Sequence, residues 1–103
     1  MSRKLAEFAH CRAGDKGDTL TLSLIAYRAA DYPLLVRRVT ADRVRSHLAG
    51  TVRGEVHRYE LPEIHALQFV CEQALGSGVT TSLALDAHGK TLSYALLEME
   101  IET

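Results

Sequence analysis

The most regular pattern of apolar and polar positions in the chain lies at residues 19–27. Leucine alternates there with hydroxyl-bearing residues: Leu20, Leu22 and Leu24 against Thr19, Thr21 and Ser23. A strict period of two predicts a β-strand with one buried face. We therefore expect the leucines to face the core, and the hydroxyl residues to face solvent or a partner.

A less regular apolar pattern predicts another strand at residues 4–12. Between the two strands lies a glycine-rich, charged loop at residues 13–18. A strand, a short polar loop and a second strand indicate a β-hairpin or a pair of neighbouring strands.

Two short helices are predicted after this pair of strands. Asp31 suits the N-cap of the first, with Pro33 in the first turn, where the missing N–H has little cost. Thr40 suits the N-cap of the second, because Asp42 follows in the first turn, where a carboxylate is favoured. Gly50 is a typical residue for the end of that helix.

The pattern then predicts a strand at residues 54–61 and a longer helix that begins at Pro62. The apolar residues of this helix are spaced for one face: Ile64, Leu67, Val70, Cys71, Ala74 and Leu75. Such a stripe is typical of an amphipathic helix, and Gly76-Ser77-Gly78 would end it. We expect this helix to pack across the sheet.

The last part of the chain predicts a second β-hairpin. Residues 80–85 alternate, residues 86–90 contain a turn glycine, and a long final strand follows from Thr91. The apolar parity of that strand changes between Leu96 and Leu97, which predicts a β-bulge there or a strand end buried on both faces.

Together these elements predict an α+β sandwich in residues 1–103, taken as a single domain: a mainly antiparallel sheet with helices packed on one face. The other face would carry small residues: Thr19, Thr21, Ser23, Ser82, Ser93 and Ala95. Small residues suit close packing, so homo- or hetero-oligomerisation through this face is expected. A homo-oligomeric scaffold without a site is one alternative that this leaves open.

Composition excludes several classes of function. The 103 residues carry a formal net charge of −1, which argues against nucleic-acid binding. The apolar runs are too short to span a bilayer, and the N-terminus shows no apolar core of a secretory signal. Two cysteines make no disulfide framework. We expect a cytoplasmic location without membrane association.

The glycine-rich loop is the main candidate for chemistry. Gly14 and Gly17 permit positive φ, so that backbone N–H groups can converge on an anion, and Arg12 and Lys16 add positive charge. The spacing matches neither a P-loop nor a dinucleotide fingerprint. A plain turn, closed by an ion pair of Lys16 with a neighbouring aspartate, is the alternative.

Other candidate sites are less well supported. His10 and Cys11 are adjacent and would point to opposite strand faces, and the five histidines show no metal-binding spacing, so no metal site is expected. Residues 37–58 contain six arginines: Arg37, Arg38, Arg43, Arg45, Arg53 and Arg58. This positive charge could meet the phosphates of coenzyme A or an acidic partner, or form an ordinary solvated surface.

Several segments together resemble one family, the AtuA-like ferredoxin-fold domain of acyclic terpene utilisation proteins. The matching segments are Arg12-Ala13-Gly14-Asp15-Lys16-Gly17, Thr40-Ala41-Asp42-Arg43-Val44, Arg58-Tyr59-Glu60-Leu61-Pro62, Ala66-Leu67-Gln68-Phe69-Val70 and Ala74-Leu75-Gly76-Ser77-Gly78. The resemblance covers nearly the whole chain. It implies a ferredoxin-like α+β fold and a role in the breakdown of acyclic terpenes and branched acyl-CoA compounds.

The resemblance further implies a small subunit that works beside a larger AtuA-like chain and shapes or caps its active site. No catalytic residues are carried over from the family. The loop supplies candidate catalytic residues, Asp15, Lys16 and Asp18, and the candidate ligand-binding residues are Arg12, Gly14, Lys16, Gly17 and Arg58. If the domain acts alone, Lys16 would stabilise an anionic intermediate or bind a CoA thioester, and an aspartate would move a proton. No cofactor beyond such a thioester ligand is expected.

The chain departs from the family pattern at three positions. Thr21 and Gln68 stand where the pattern has asparagine, and Ser77 stands where it has glycine. Gln68 keeps an amide with a longer reach, whereas Thr21 keeps only a hydroxyl group. These departures bear on whether this chain binds the same ligand as other members of the family.

Overall fold

The computed structural model describes residues 2–16, 19–73 and 91–103, with only the backbone at residues 15 and 16. Six strands are described: β1 (Ser2–Lys4), β2 (Ala9–Lys16), β3 (Thr19–Ala26), β4 (Val56–Leu61), β5 (Ala66–Cys71) and β6 (Glu100–Glu102). Two helices follow β3, α1 (Tyr32–Arg38) and α2 (Ala41–His47), and residues 91–97 are also helical. No helix within these ranges is long and apolar enough to cross a membrane.

In the described part of the chain, the main sheet has four strands in the order β2-β3-β5-β4, and every neighbouring pair is antiparallel. A separate two-stranded ladder pairs β1 with β6, which brings Ser2 opposite Glu102. Among the described strands, β2 and β4 therefore lie at the two edges of the main sheet, with β3 and β5 in the centre.

The core lies on one face of this sheet. Buried side chains alternate along the two central strands: Leu20, Leu22 and Leu24 in β3, and Leu67, Phe69 and Cys71 in β5. Leu35 of α1, Val44 of α2, and Leu92 and Leu96 of the last helical segment join the same hydrophobic cluster. The predicted α+β architecture, with helices on one face of an antiparallel sheet, is confirmed.

The alternation at residues 19–27 predicted β3 correctly, but the strand before it begins and ends later than predicted. Strand β2 occupies Ala9–Lys16 rather than residues 4–12, so most of the predicted loop at 13–18 is strand. The antiparallel ladder with β3 continues to the pair of Lys16 with Thr19, so residues 13–16 pair as strand and not as loop.

The helix predicted from Pro62 was wrong. Pro62–Ile64 form a single 3₁₀ turn, His65 takes a left-handed conformation with φ 54°, and Ala66–Cys71 form the central strand β5. Leu67, Phe69 and Cys71 are buried at alternate positions. Tertiary pairing on both sides of this strand overrides the helical spacing of its apolar residues.

The long final strand was also wrong. Residues 91–97 are helical, and only Glu100–Glu102 form a strand. Leu92 and Leu96 are buried four residues apart, so the change of parity near Leu97 marks a helical period and not a β-bulge. Ser93 therefore belongs to a helix. The predicted strand at 80–85, the turn at 86–90 and the stop at 76–78 lie outside the described residues.

Thr40 forms the predicted N-cap of α2, and its removal has a measurable cost. The Thr40 hydroxyl oxygen accepts a hydrogen bond of 3.2 Å from the backbone N–H of Arg43. Thr40→Ala should lower the free energy of unfolding by about 1 kcal/mol, measured by urea denaturation. Thr40→Ser should retain most of the stability, and an equal loss in both variants would contradict the capping role.

Candidate functional site

A row of polar side chains crosses the face of the sheet opposite the core. Arg12 lies opposite Ser23, Ser23 opposite Gln68, and Gln68 opposite Tyr59, so each strand contributes one residue. Residues directly opposite in an antiparallel ladder share a face. We call Arg12, Ser23, Gln68 and Tyr59 the polar row. Its end members Arg12 and Tyr59 are exposed, and its central members are half-buried.

The polar row contains residues that the sequence singled out for different reasons. Arg12 precedes the glycine-rich loop, and Gln68 and Tyr59 belong to two other segments that carry the family resemblance. These residues are far apart in the sequence. They come together only because β5 is a strand that pairs in register with both β3 and β4. Sequence reasoning therefore named Arg12 as a site residue and noted Gln68 as a departure from the family pattern, but did not place either beside Tyr59.

The next row holds the glycine of the candidate loop. Gly14 lies in extended strand β2 opposite Thr21, whose hydroxyl group donates a 3.2 Å hydrogen bond to the Gly14 carbonyl oxygen. A Cβ atom at Gly14 would lie only 2.9 Å from that hydroxyl oxygen. Because Gly14 has no Cβ atom, the Thr21 hydroxyl group has room to lie against the β2 backbone and donate this hydrogen bond.

Two of the three candidate catalytic residues, Asp15 and Lys16, lie at the end of β2. Asp15 pairs in register with Leu20, and Lys16 pairs with Thr19. Gly17 and Asp18 lie outside the described residues. The hairpin thus keeps Asp15 and Lys16 close to Arg12 and Gly14 along one strand, and their catalytic or binding roles stay predictions.

Arg58 lies apart from the other candidate ligand-binding residues. It pairs with the buried Phe69, so it projects from the core face of edge strand β4, whereas Arg12 projects from the opposite face of edge strand β2. Its guanidinium group donates to the carbonyl oxygens of Val36 at 2.8 Å and Val39 at 3.2 Å. The group therefore binds the C-terminal end of α1, where a cation is favoured.

Arg58→Ala should lower the free energy of unfolding by about 1–2 kcal/mol, because two helix-terminal carbonyl groups lose a charged donor. Arg58→Lys should recover only part of this, since an ammonium group lacks the planar fork. Urea denaturation measures both, with exposed Arg12→Ala as the control that should change stability little. Equal effects of Arg58→Ala and Arg12→Ala would contradict the structural role.

Arg43, another of the six arginines in residues 37–58, also binds backbone carbonyl oxygens. Arg43 donates to the carbonyl oxygens of Arg38 at 3.1 Å and Glu100 at 2.7 Å, and so connects α2 to β6. At least two of the six arginines in residues 37–58 are therefore engaged with backbone carbonyl groups.

Both cysteines are poor nucleophiles in this environment. Burial raises the pKa of the Cys11 thiol to about 11, although a hydrogen bond with Ser93 acts in the opposite direction. Burial also raises the pKa of the Cys71 thiol to about 11. With these pKa values neither cysteine is ionised at neutral pH, and the thiolate is the reactive form of cysteine. Cys71 is a core residue, as predicted.

Three further titratable side chains meet at the end of the β4–β5 ladder. His57 Nε2 lies 2.9 Å from Glu72 Oε2 and 3.7 Å from Glu55 Oε2. We call Glu55, His57 and Glu72 the carboxylate–histidine cluster. Sequence reasoning missed it because Glu72 follows His57 by 15 residues, and only the strand register brings them together.

Comparison with protein-family models gives a match to the AtuA ferredoxin-like domain over residues 3–102. The resemblance seen in the sequence is thereby confirmed over nearly the whole chain. Comparisons with curated proteins and with solved structures found no match.

Proposed function

Because the chain belongs to the AtuA ferredoxin-like domain family, we propose that it acts with a larger AtuA-like chain in the catabolism of acyclic terpene or branched acyl-CoA compounds. In this proposal the domain binds the larger chain through the polar row and shapes or caps its active site. The observation that supports it most directly is the polar row itself, with Arg12 at one end and Tyr59 at the other.

Packing among residues 2–16, 19–73 and 91–103 does not account for the polar row. The core lies on the other face of the sheet, and the exposed fraction of Tyr59 is 53%. Arginine and tyrosine are enriched in protein–protein interfaces, where they supply large contact areas and directional hydrogen bonds. Exposed Arg12 and Tyr59 therefore suit contact with another chain.

The strand ladder fixes the spacing of these groups. Neighbouring strands lie about 4.8 Å apart, so the four residues of the row extend over roughly 14 Å. Residues in a regular sheet already have an ordered backbone, so binding costs little further backbone entropy, which favours affinity. The ends of β2 and β3 lie on the same sheet, so a chain that covers the row also reaches the hairpin with Asp15 and Lys16.

The test is co-purification of the domain with the larger AtuA-like chain, together with an acyl-CoA turnover assay. Arg12→Glu should weaken binding at least tenfold, because it reverses the charge at one end of the row. Arg37→Glu is the matched control, since Arg37 is an exposed arginine on α1, and it should bind as the wild type does. Equal binding by wild type and Arg12→Glu would overturn the proposed surface.

Turnover separates this proposal from an independent enzyme or CoA-binding domain that uses the glycine-rich loop. The exposed Arg12 and Gly14 beside Lys16 are the observation that favours this alternative. An accessory domain should raise turnover only when the larger chain is present, and Lys16→Ala should reduce that gain. If the isolated wild type turns the substrate over and Lys16→Ala does not, the accessory role is wrong.

A further inference from the structure

We propose that the carboxylate–histidine cluster binds a divalent transition-metal ion, with Zn²⁺ as the best-matched ion. Glu55, His57 and Glu72 supply the ligands. This goes beyond the proposed function, because the cluster contains no residue of the polar row. His57 lies on the same face of the sheet, one row further along, where it pairs with Val70.

The donor atoms are already close together. The ligand atoms of the three side chains all lie within 4.8 Å of one another, and the His57 Nε2 to Glu72 Oε2 distance is 2.9 Å. Ligand atoms about 2 Å from a zinc ion lie roughly 3.4 Å apart in a tetrahedral site. Small rotations of three exposed side chains are therefore sufficient to surround one ion.

Backbone pairing forces the two carboxylates together. The backbone N–H of Glu72 donates to the Glu55 carbonyl oxygen at 2.9 Å, just beyond the last ladder pair of Val56 with Cys71. The Gly54 N–H returns a bond to the Glu72 carbonyl oxygen, so Gly54 and Glu55 together oppose Glu72, as in a β-bulge, and Glu55 is held beside Glu72. Like charges in this position are destabilising, and a cation between them turns this repulsion into attraction.

Gly54 precedes Glu55 and holds its backbone close to that of Glu72. The Gly54 N–H donates to the Glu72 carbonyl oxygen at 3.0 Å. A Cβ atom at residue 54 would lie 2.6 Å from that oxygen, so only glycine permits this approach. The ligand-bearing segments are thus held in place before an ion binds, which reduces the ordering cost of binding.

The donor set selects the class of ion. Imidazole nitrogen and carboxylate oxygen are both donors that zinc binds, and three protein ligands leave the fourth tetrahedral position for water or another ligand. The nitrogen donor favours Zn²⁺ and related transition-metal ions over Mg²⁺ and Ca²⁺, which prefer oxygen ligands. The site is open to solvent, so the fourth position is accessible.

Titration of the whole chain with ZnCl₂ by calorimetry tests the proposal, with Co²⁺ absorption as an independent report of nitrogen and oxygen ligation. Wild type should bind one equivalent of Zn²⁺ with saturation, and His57→Ala and Glu72→Gln should each weaken binding by about tenfold or more. His10→Ala is the matched control, because His10 also lies on the face opposite the core, in β2. Its binding should be unchanged.

Thermal unfolding provides a second measurement on the same variants. Zn²⁺ should raise the unfolding temperature of the wild type and of His10→Ala, since a ligand of the folded state stabilises it. It should not raise that of Glu72→Gln, a nearly isosteric change that preserves the fold. No saturable binding by the wild type, or equal binding by wild type and Glu72→Gln, would overturn the site and leave an ion pair between His57 and the carboxylates.

Discussion

Phe69→Ala is expected to lower the free energy of unfolding by about 3–5 kcal/mol. Phe69 lies in β5 between Leu22 of β3 and Arg58 of β4, and none of its surface is exposed. Its removal deletes the contacts of an aromatic ring and leaves a cavity that a central strand cannot collapse to fill. Domains of this kind are stable by about 5–15 kcal/mol in total, so the variant should be marginally folded.

Val70→Ala is the matched control for this prediction, because Val70 is the next residue of the same strand and points to the opposite, half-buried face. Val70→Ala should lower the free energy of unfolding by only about 1 kcal/mol. Urea denaturation followed by circular dichroism measures both variants. If the segment were the amphipathic helix that its spacing suggests, Val70 would be the core residue and the order of the two effects would be reversed.

Segments in which one face is apolar and the other polar were predictable from the sequence. In β3 the leucines alternate with hydroxyl residues, so a period of two was the only consistent interpretation. The start of α2 was equally clear, because Thr40 is a capping residue with a local mechanism that needs no tertiary contact. In both cases local chemistry and the final fold agree.

Segment β5 was mispredicted because both of its faces are partly buried. Leu67, Val70 and Cys71 fit a helical stripe, while Leu67, Phe69 and Cys71 fit a strand, and the pattern alone does not distinguish them. The boundary was also hidden. His65 ends the 3₁₀ turn in the left-handed region, which non-glycine residues rarely adopt, so nothing in the sequence marked the start of a strand.

The last helical segment shows the same ambiguity in reverse. Leu92, Tyr94 and Leu96 follow a period of two, while Leu92 and Leu96 also fit one face of a helix. Tyr94 decides between them, because a strand would bury it with the two leucines, and its exposed fraction is 70%. An amphipathic tyrosine is compatible with either environment, so the sequence could not make this distinction.

The candidate site was only partly predictable for a related reason. Arg58 and Tyr59 are adjacent in one motif, yet strand geometry sends them to opposite faces. Arg58 binds the end of α1, and Tyr59 joins the polar row. The polar row and the carboxylate–histidine cluster both depend on cross-strand register, which a single sequence specifies only after every strand has been identified.

Among the three described glycines, Gly54 is the one where an added methyl group would lie closest to another atom. Its backbone N–H donates to the Glu72 carbonyl oxygen, and a Cβ atom would lie 2.6 Å from that oxygen and 2.8 Å from its carbonyl carbon. These are backbone atoms just beyond the end of central strand β5. Unlike a flexible side chain, they cannot rotate away, so the two segments must separate to admit the methyl group.

Gly54→Ala is therefore expected to lower the free energy of unfolding by about 3 kcal/mol, as overpacking against a fixed backbone does. Gly50→Ala is the matched control, because a Cβ atom there meets no other atom within 4 Å, and it should leave stability unchanged or slightly improved. Urea denaturation gives the free energies. Amide hydrogen exchange should in addition show lost protection at Gly54 and Glu72 in Gly54→Ala alone. Equal stability of the two alanine variants would mean that β4 and β5 do not approach each other as closely here.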